Sequence, residues 1–476
     1  MILGICNYDY YLNDIGPVLR LVCRNQKQER IFIDVQDEKF TPHFYIIEED
    51  KELFMHSLTD AGVDKLIIKT EPGLITEYGE PTLCIYTKYP HDVRKIRNHL
   101  IGLRTFQGDV KWEKMVVQMM KWRSFIVVDD DEYSEYGFTP LSAIHNSEKR
   151  FIVDFNICYW DIETDAQGTT GRQWADCRFA HKISIITYVT FNKHKQIFTY
   201  YGWKEEWKTE SFMSERETRL GEKALSMPTF KDYPHSFPFE IKKFSNEIDM
   251  HKTFLNDFSN GDYDGLMTFN GRGGNRSIRG KKQWFTGFDL PIFFERCVHL
   301  GLYDEIQKMS TVRPMYVRGR MVGPSTKRYI KKNEYDIEVG REFHIKCVPQ
   351  HDLLYDDNVL FYTAQEYDMK RHNLDTYMNY ILGVGKVEHK GSVAKMHRDH
   401  WKKCMEYNAV DVEGIYALDL YFGYTTDVAL RALIYCGKIE DGVYASKIHD
   451  HIKLWYTNDM YLLPTRDFGR KINGRE

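Results

Sequence analysis

The sequence predicts a mixed α/β chain, α+β in arrangement, built from about three units. Segments with two-residue alternation of apolar and polar residues are interleaved with segments carrying apolar residues at i, i+3, i+4 and i+7. The chain has 476 residues, and a unit usually takes about 150. Apolar residues make up 42% and charged ones 28%, which excludes a disordered, collagenous or low-complexity chain. No run comes near the roughly 18 consecutive apolar residues of a membrane-spanning helix. MILGICNYDYYLND lacks the basic-then-apolar order of a secretory signal. Nine cysteines, at 6, 23, 84, 158, 177, 297, 347, 404 and 436, show no C-x-x-C spacing. That argues against structural zinc and for a reducing, cytoplasmic compartment. Formal net charge is −4, where a dedicated non-specific nucleic-acid binder is usually basic; the charge here is segregated along the chain, so the total decides little.

Residues 1–130 read as a small mixed α/β domain. LRLVCR, RIFIDV and HFYIIEED alternate as strands, and NDIG and DEKFTP supply turns. YPHDVRKIRNHLIGL places Val93, Ile96 and Leu100 at helical spacing. The acidic run Asp129, Asp130, Asp131 and Glu132, with the polar residues after it, predicts a linker over 131–150. From 151, FIVDFNICYWDIE, KISIITYVTF and KQIFTYYGW predict three strands in a meander, with one polar loop at 165–181. Residues 203–245 are charged and poorly periodic and read as an insertion. Helix IDMHKTFLNDF, strand DGLMTF and helix LPIFFERCVHLG follow, the last with Phe293, Phe294, Cys297 and Leu300 on one face. Leu374, Tyr377, Met378 and Ile381 predict a helix over 372–382, residues 404–423 continue helical, and 426–457 are largely so. The tail RDFGRKINGRE has no apolar period, and no internal repeat is present.

The sharpest local feature is Asp161-Ile162-Glu163 at the end of an apolar strand. Residues i and i+2 of a strand share a face, so the two carboxylates project together. Like charges beside a core strand repel and are costly to bury, and divalent cations relieve both problems. A strand end running into a solvated loop is the simpler alternative. Phe288-Asp289-Leu290-Pro291 opens a helix, and Tyr407 and Asp411 stand at i and i+4 on another. Four acids from three elements, with a phenol beside the last, match two-metal phosphodiester hydrolysis, in which one ion lowers the pKa of the attacking water and the other stabilises the leaving oxygen. Oxygen-only ligands point to two Mg²⁺ or Mn²⁺ ions.

YWDIET, then FN with FDLPIFFERC, then YNAVD resemble, in order and separation, the three exonuclease motifs of family B DNA polymerases. LDTYMNYILGVGK fits the same pattern. DYYLNDIGPVLRLV, FTPHFYIIEED and YPHDVRKIRNHL resemble the N-terminal domain of archaeal members, and ASKIHDHIKLWYTNDMYLLPTR resembles the segment before the palm. The resemblance implies a ribonuclease H-like DEDD exonuclease with a mixed sheet over 151–425, the tyrosine subgroup, and a helical segment, 426–476, that packs back on the N-terminal domain. It implies that Asp161, Glu163, Asp289 and Asp411 bind the metals, that Tyr407 orients water, and that Asn270 contacts the terminal nucleotides. Phe288 either packs beside the frayed 3′ end or is a core aromatic at a helix start.

The sequence departs from the family between Asn270 and Phe288, where GRGGNRSIRGKKQWFTG intervenes with Arg272, Arg276, Arg279, Lys281 and Lys282 and no acid. This segment is either a loop that clamps the phosphates of single-stranded DNA or a solvated basic loop. A second basic stretch, 311–333, has the alternation of a β-hairpin; Arg318, Arg320 and Lys327 either touch DNA or guard a sheet edge. By resemblance, Tyr10, Pro42, Pro90 and Val93 fall where archaeal relatives hold a template-uracil pocket, with plain core packing as the alternative.

The palm motifs D-x-x-S-L-Y-P and Y-G-D-T-D and a Lys-bearing fingers helix are not found. The expected function is therefore the proofreading portion of a replicative polymerase. It would act on the 3′ end of primer-template DNA and serve a palm, fingers and thumb in the same or another polypeptide, with a sliding clamp reached through that partner. Its setting would be a nucleoid or a virus-infected cell. A catalytically silent DNA-binding module and a stand-alone 3′→5′ repair nuclease are the alternatives.

Overall fold

The computed structural model describes residues 1–165, 181–278, 281–354 and 372–438, together with Leu360, Met369, Ile448 and Ile452. Within those ranges it leaves out 77, 101, 109, 134–136, 193–194, 313, 318–319, 325, 333–337, 347, 349 and 390. The chain divides into two compact units, Met1–Val153 with Arg431–Glu476, and Asp154–Leu430.

The first unit holds two antiparallel sheets. Strands β1 (Ile2–Leu12), β2 (Pro17–Asn25) and β3 (Arg30–Val35) form one with β8 (Phe125–Val128) and β9 (Ile144–Asn146), in the order β3-β2-β1-β8-β9. Strands β4 (His43–Ile47), β5 (Ile67–Pro72), β6 (Thr82–Thr87) and β7 (Thr105–Phe106) form the other, in the order β5-β6-β4-β7. Helix α1 (Lys51–Asp60) buries Phe54 and Leu58, and α2 (Pro90–Arg97) buries Val93 and Ile96, in the core that also holds Phe44, Ile46 and Ile85. Pro90 suits its place at the start of α2, where its missing N–H costs no helical bond. Helix α3 (Trp112–Met119) packs Trp112, Met115 and Val116 on the first sheet. Two elements differ from the sequence expectation. β1, which pairs over most of its length with β2, is the centre of the first sheet. β9 lies inside the stretch expected as a linker and pairs with β8; its three residues are too few to show a period.

The second unit is built on a seven-stranded mixed sheet. In chain order its strands are β10 (Ile157–Thr164), β11 (Ile183–Asn192), β12 (Lys195–Trp203), β13 (Glu210–Glu217), β14 (Ser236–Phe244), β15 (Gly265–Thr268) and, last, Gln350–Asp352. In space the order is β13-β14-β12-β11-β10-β15 and then Gln350–Asp352. The β10–β12 meander is antiparallel, while β15 runs parallel to β10 and β14 parallel to β12. The stretch read as an insertion, 203–245, therefore extends the sheet by two strands. Its polar composition fits an edge: seven of the eight β13 residues are exposed and only Arg216 is buried.

Helices α4 (Glu247–Asn260) and α5 (Asp289–His299) cover one face of the sheet, where Trp160 and Ile162 are buried with Phe254, Leu290, Ile292 and Phe293. Trp160 stacks on Phe254 at 5.7 Å and meets Phe293 edge-on at 5.4 Å. A short helix α6 (Leu374–Tyr377) passes into one π turn, Met378–Leu382, which ends at Gly383 with φ 69°, a left-handed stop that favours glycine. Helices α7 (Val393–Asp399), α8 (Trp401–Phe422) and α9 (Tyr424–Tyr435) follow. The mixed α/β class expected from the sequence is the class observed.

Candidate active site

β10 positions the first two acids. Trp160 and Ile162 point into the core, so Asp161 and Glu163 project from the other face with Tyr159. Helix α8 docks on that face. The Tyr159 hydroxyl donates to Asp419 Oδ2 at 2.6 Å, and its ring lies 5.2 Å from that of Tyr416. Asp411, about two turns before Asp419, is thereby set over the β10 acids. Asp161, Glu163 and Asp411 each offer one oxygen, and these atoms all lie within 4.8 Å of one another.

Asp289 opens α5 and lines the same cavity of about 510 Å³, with Asn270, Phe288, Lys386 and the three other acids. Asn270 has φ 62° and is held by two backbone bonds. Its N–H donates to Asp352 Oδ1 at 2.9 Å, and its carbonyl accepts from the Phe288 N–H at 2.8 Å. Asp352 is fully buried and also accepts from the N–H groups of Arg272 (2.9 Å) and Leu354 (3.1 Å). Phe288 is half-buried, with its ring against the core beneath α5.

Burial, followed by Asp411, pushes the Asp161 carboxyl up to about 8. Burial and the Asp161 charge drive Glu163 and Asp289 well above the usual carboxylate range, and burial raises Asp411. The counter-charge is a residue the sequence motifs did not single out. Lys386 Nζ lies 2.5 Å from Asp411 Oδ2 and 3.3 Å from the Tyr407 oxygen. Burial works against its ammonium, but Asp411 and Tyr407 hold its pKa above the usual lysine value. The Lys386 N–H donates to Asp375 Oδ1 at 2.7 Å, which anchors the residue to α6. Burial also raises the Tyr407 phenol, so it stays protonated. Tyr407 lines an adjoining cavity of about 380 Å³ with Asp375, Lys386 and His389.

One lysine does not balance four acids. Among the described residues Asp411 Oδ1 is buried with no hydrogen-bond partner. All the donors are hard carboxylate oxygens, so the cluster fits a divalent metal site.

The remaining candidates lie elsewhere. Gly273–Ile278 and Lys281–Thr286 form an antiparallel hairpin that carries Arg276, Lys281 and Lys282 in its strands, and Arg279 lies outside the described residues. At its root the Arg272 guanidinium donates to the Gln350 carbonyl at 2.8 Å. The second basic stretch forms Met315–Val317 paired with Arg320–Gly323, while Thr326–Lys332 pairs onward with Glu338–Ile345. Arg320 and Lys327 sit in these strands, and Arg318 is outside the described residues. In the first unit Tyr10 meets Trp112 edge-on at 5.5 Å beside the core of the first sheet. Pro42 is buried just before β4, Pro90 opens α2, and Val93 belongs to the core of the second sheet.

No family model and no curated protein matches the chain. Among solved structures it is similar to the family B DNA polymerase from the hyperthermophilic archaeon Pyrobaculum calidifontis, at a TM-score of 0.62 and 15% identity. The likeness covers 99% of this chain and 52% of that one. The chain therefore has a family B polymerase-like fold and spans about half the length of that polymerase. Among the described residues no helix is long and apolar enough to cross a membrane.

Proposed function

We propose that the chain is the N-terminal and 3′→5′ exonuclease portion of a family B-type DNA polymerase, removing nucleotides from a frayed 3′ end. The observation that carries this reading is the convergence of Asp161, Glu163 and Asp411 within 4.8 Å, with Asp289 in the same cavity. Asp161, Glu163, Asp289 and Asp411 would hold two divalent ions, which when bound activate water and stabilise the leaving oxygen. Asn270 and Phe288, joined at the cavity wall, would receive the terminal nucleotide. Lys386 donates to the Tyr407 oxygen, which leaves the phenol proton to orient the attacking water. The same ammonium offsets charge that builds on the phosphate oxygens.

On this reading the exonuclease domain spans 151–425, and polymerisation belongs to a palm, fingers and thumb in the same or a separate polypeptide. The basic hairpin at 273–286 would hold the phosphates of single-stranded DNA next to the site. A silent module has no use for four clustered acids that raise one another's pKa. The test is the identity of the product. A 3′-labelled single strand with Mg²⁺ is expected to release labelled deoxynucleoside 5′-monophosphate from its end; internal fragments would contradict the reading.

A further inference from the structure

Asn408 is fully buried on α8, between Tyr407 and Asp411 in sequence, and the proposed hydrolysis gives it no part. Its Nδ2 donates to Asp161 Oδ2 at 2.5 Å. Its Oδ1 is buried with no hydrogen-bond partner among the described residues. The chemistry fixes which way the amide faces. Turned over, it would press a carbonyl oxygen against the Asp161 carboxylate, whereas the NH₂ can donate to it. A buried acceptor left unpaired is costly, and this orientation accepts that cost in order to aim the donor at Asp161.

We propose that Asn408 is a positioning residue that sets the affinity of the acidic cluster for divalent cations. By holding Asp161 Oδ2, it fixes the orientation of a carboxylate that shares the cluster with Glu163 and Asp411. It also disperses part of the like-charge repulsion among the acids. A hydrogen bond to the outer oxygen of a ligating carboxylate typically accounts for about 10–100-fold in metal affinity. The hydrogen bond also ties α8 to β10 at the level of the cavity, so ligands from two elements stay in register.

This inference rests on the reading of the cluster as a metal site, and the experiment separates the two. Mn²⁺ binding is measured by titration calorimetry on the full chain without DNA, for the wild type, Asp161→Ala, Asn408→Leu and Asn408→Ser. Leucine keeps the volume and removes the donor; serine keeps a donor at lower bulk and covers the case of a leucine variant that does not fold. The expected result is Mn²⁺ binding by the wild type, its loss in Asp161→Ala, and binding about 10–100-fold weaker in Asn408→Leu, with partial recovery in Asn408→Ser. A leucine variant, or a serine variant where leucine does not fold, that binds Mn²⁺ as the wild type does overturns the role of Asn408 and leaves the metal site standing. Wild type and Asp161→Ala that bind alike overturn the metal site, and the role of Asn408 with it.

Discussion

The Phe288 N–H donates to the Asn270 carbonyl at 2.8 Å, although seventeen residues separate them in the sequence. The bond closes the base of the inserted segment, and the Leu290 N–H adds a second bond to the Gly271 carbonyl at 3.1 Å. What reads in the sequence as a break between two parts of one motif is, in space, a hairpin that leaves and returns at a single point.

The closed base defines where the hairpin can be replaced as a unit. Replacing 273–286 with a short Gly-Ser turn is expected to leave the melting temperature nearly unchanged, since a shorter loop closes at little entropic cost. The salt dependence of single-strand binding is expected to weaken, by about 0.7 in log–log slope for each phosphate that the protein no longer neutralises. An unchanged slope would sink the phosphate-holding role of the hairpin.

At Gly271 the backbone passes close to the Asp289 carboxylate. A Cβ there would stand 2.5 Å from Thr268 Cβ and 2.8 Å from Asp289 Oδ2. Gly271→Ala is expected to destabilise the chain by about 1–3 kcal/mol and to displace Asp289, lowering exonuclease activity more than DNA affinity. Denaturant unfolding together with single-turnover cleavage checks both halves. Normal cleavage at wild-type stability would show that Asp289 tolerates the shift.

Lys386 faces both Asp411 and Tyr407. Lys386→Met is expected to slow cleavage on the order of 10²-fold while the 3′ end still binds. Tyr407→Phe, which keeps the ring and removes the hydroxyl, is expected to slow it less. Single-turnover rates at saturating enzyme separate the two; a rate for Lys386→Met near that of the wild type would remove the lysine from the mechanism.

The acids also make stability depend on pH in a defined direction. Asp161 moves from an ordinary 3.8 to about 8 on folding without metal, so between those values the folded state holds more protons than the unfolded one. Stability then falls as pH rises through that window. Divalent cations reverse the effect by favouring the charged form. The rise in melting temperature on replacing EDTA by Mg²⁺ is expected to be larger at about pH 8 than at about pH 6, and small in Asp161→Asn at either pH. Equal shifts in wild type and variant would place the cation elsewhere.

The pairings legible in the sequence were those with a short period. Asp161 and Glu163 share a face because strands repeat every two residues, and Tyr407 and Asp411 because helices repeat near every four. The alternation on β10 also foretold which face holds the core, since Trp160 and Ile162 are buried opposite the acids. Lys386, Asn408 and Asp352 carry no such signal. Lys386 reaches Asp411 across 25 residues, Asn408 reaches Asp161 across 247, and Asp352 reaches Asn270 across 82. Only the fold brings these pairs together. The edge strand β13 escaped for a different reason: it buries one side chain in eight, too little apolar pattern to read, whereas β14 buries Phe237, Phe239 and Ile241 in alternation and carried a signal that the charged residues around it outweighed.

The central claim is that the acidic cluster hydrolyses DNA from its 3′ end, and one assay meets it directly. A 5′-labelled single-stranded oligonucleotide is incubated with Mg²⁺ and the wild type, Asp161→Ala or Asp411→Ala. The account expects a ladder that shortens one nucleotide at a time from the 3′ end, abolished in both variants although each still binds the strand. A ladder of equal intensity from Asp161→Ala, or an intact strand with the wild type, would contradict it.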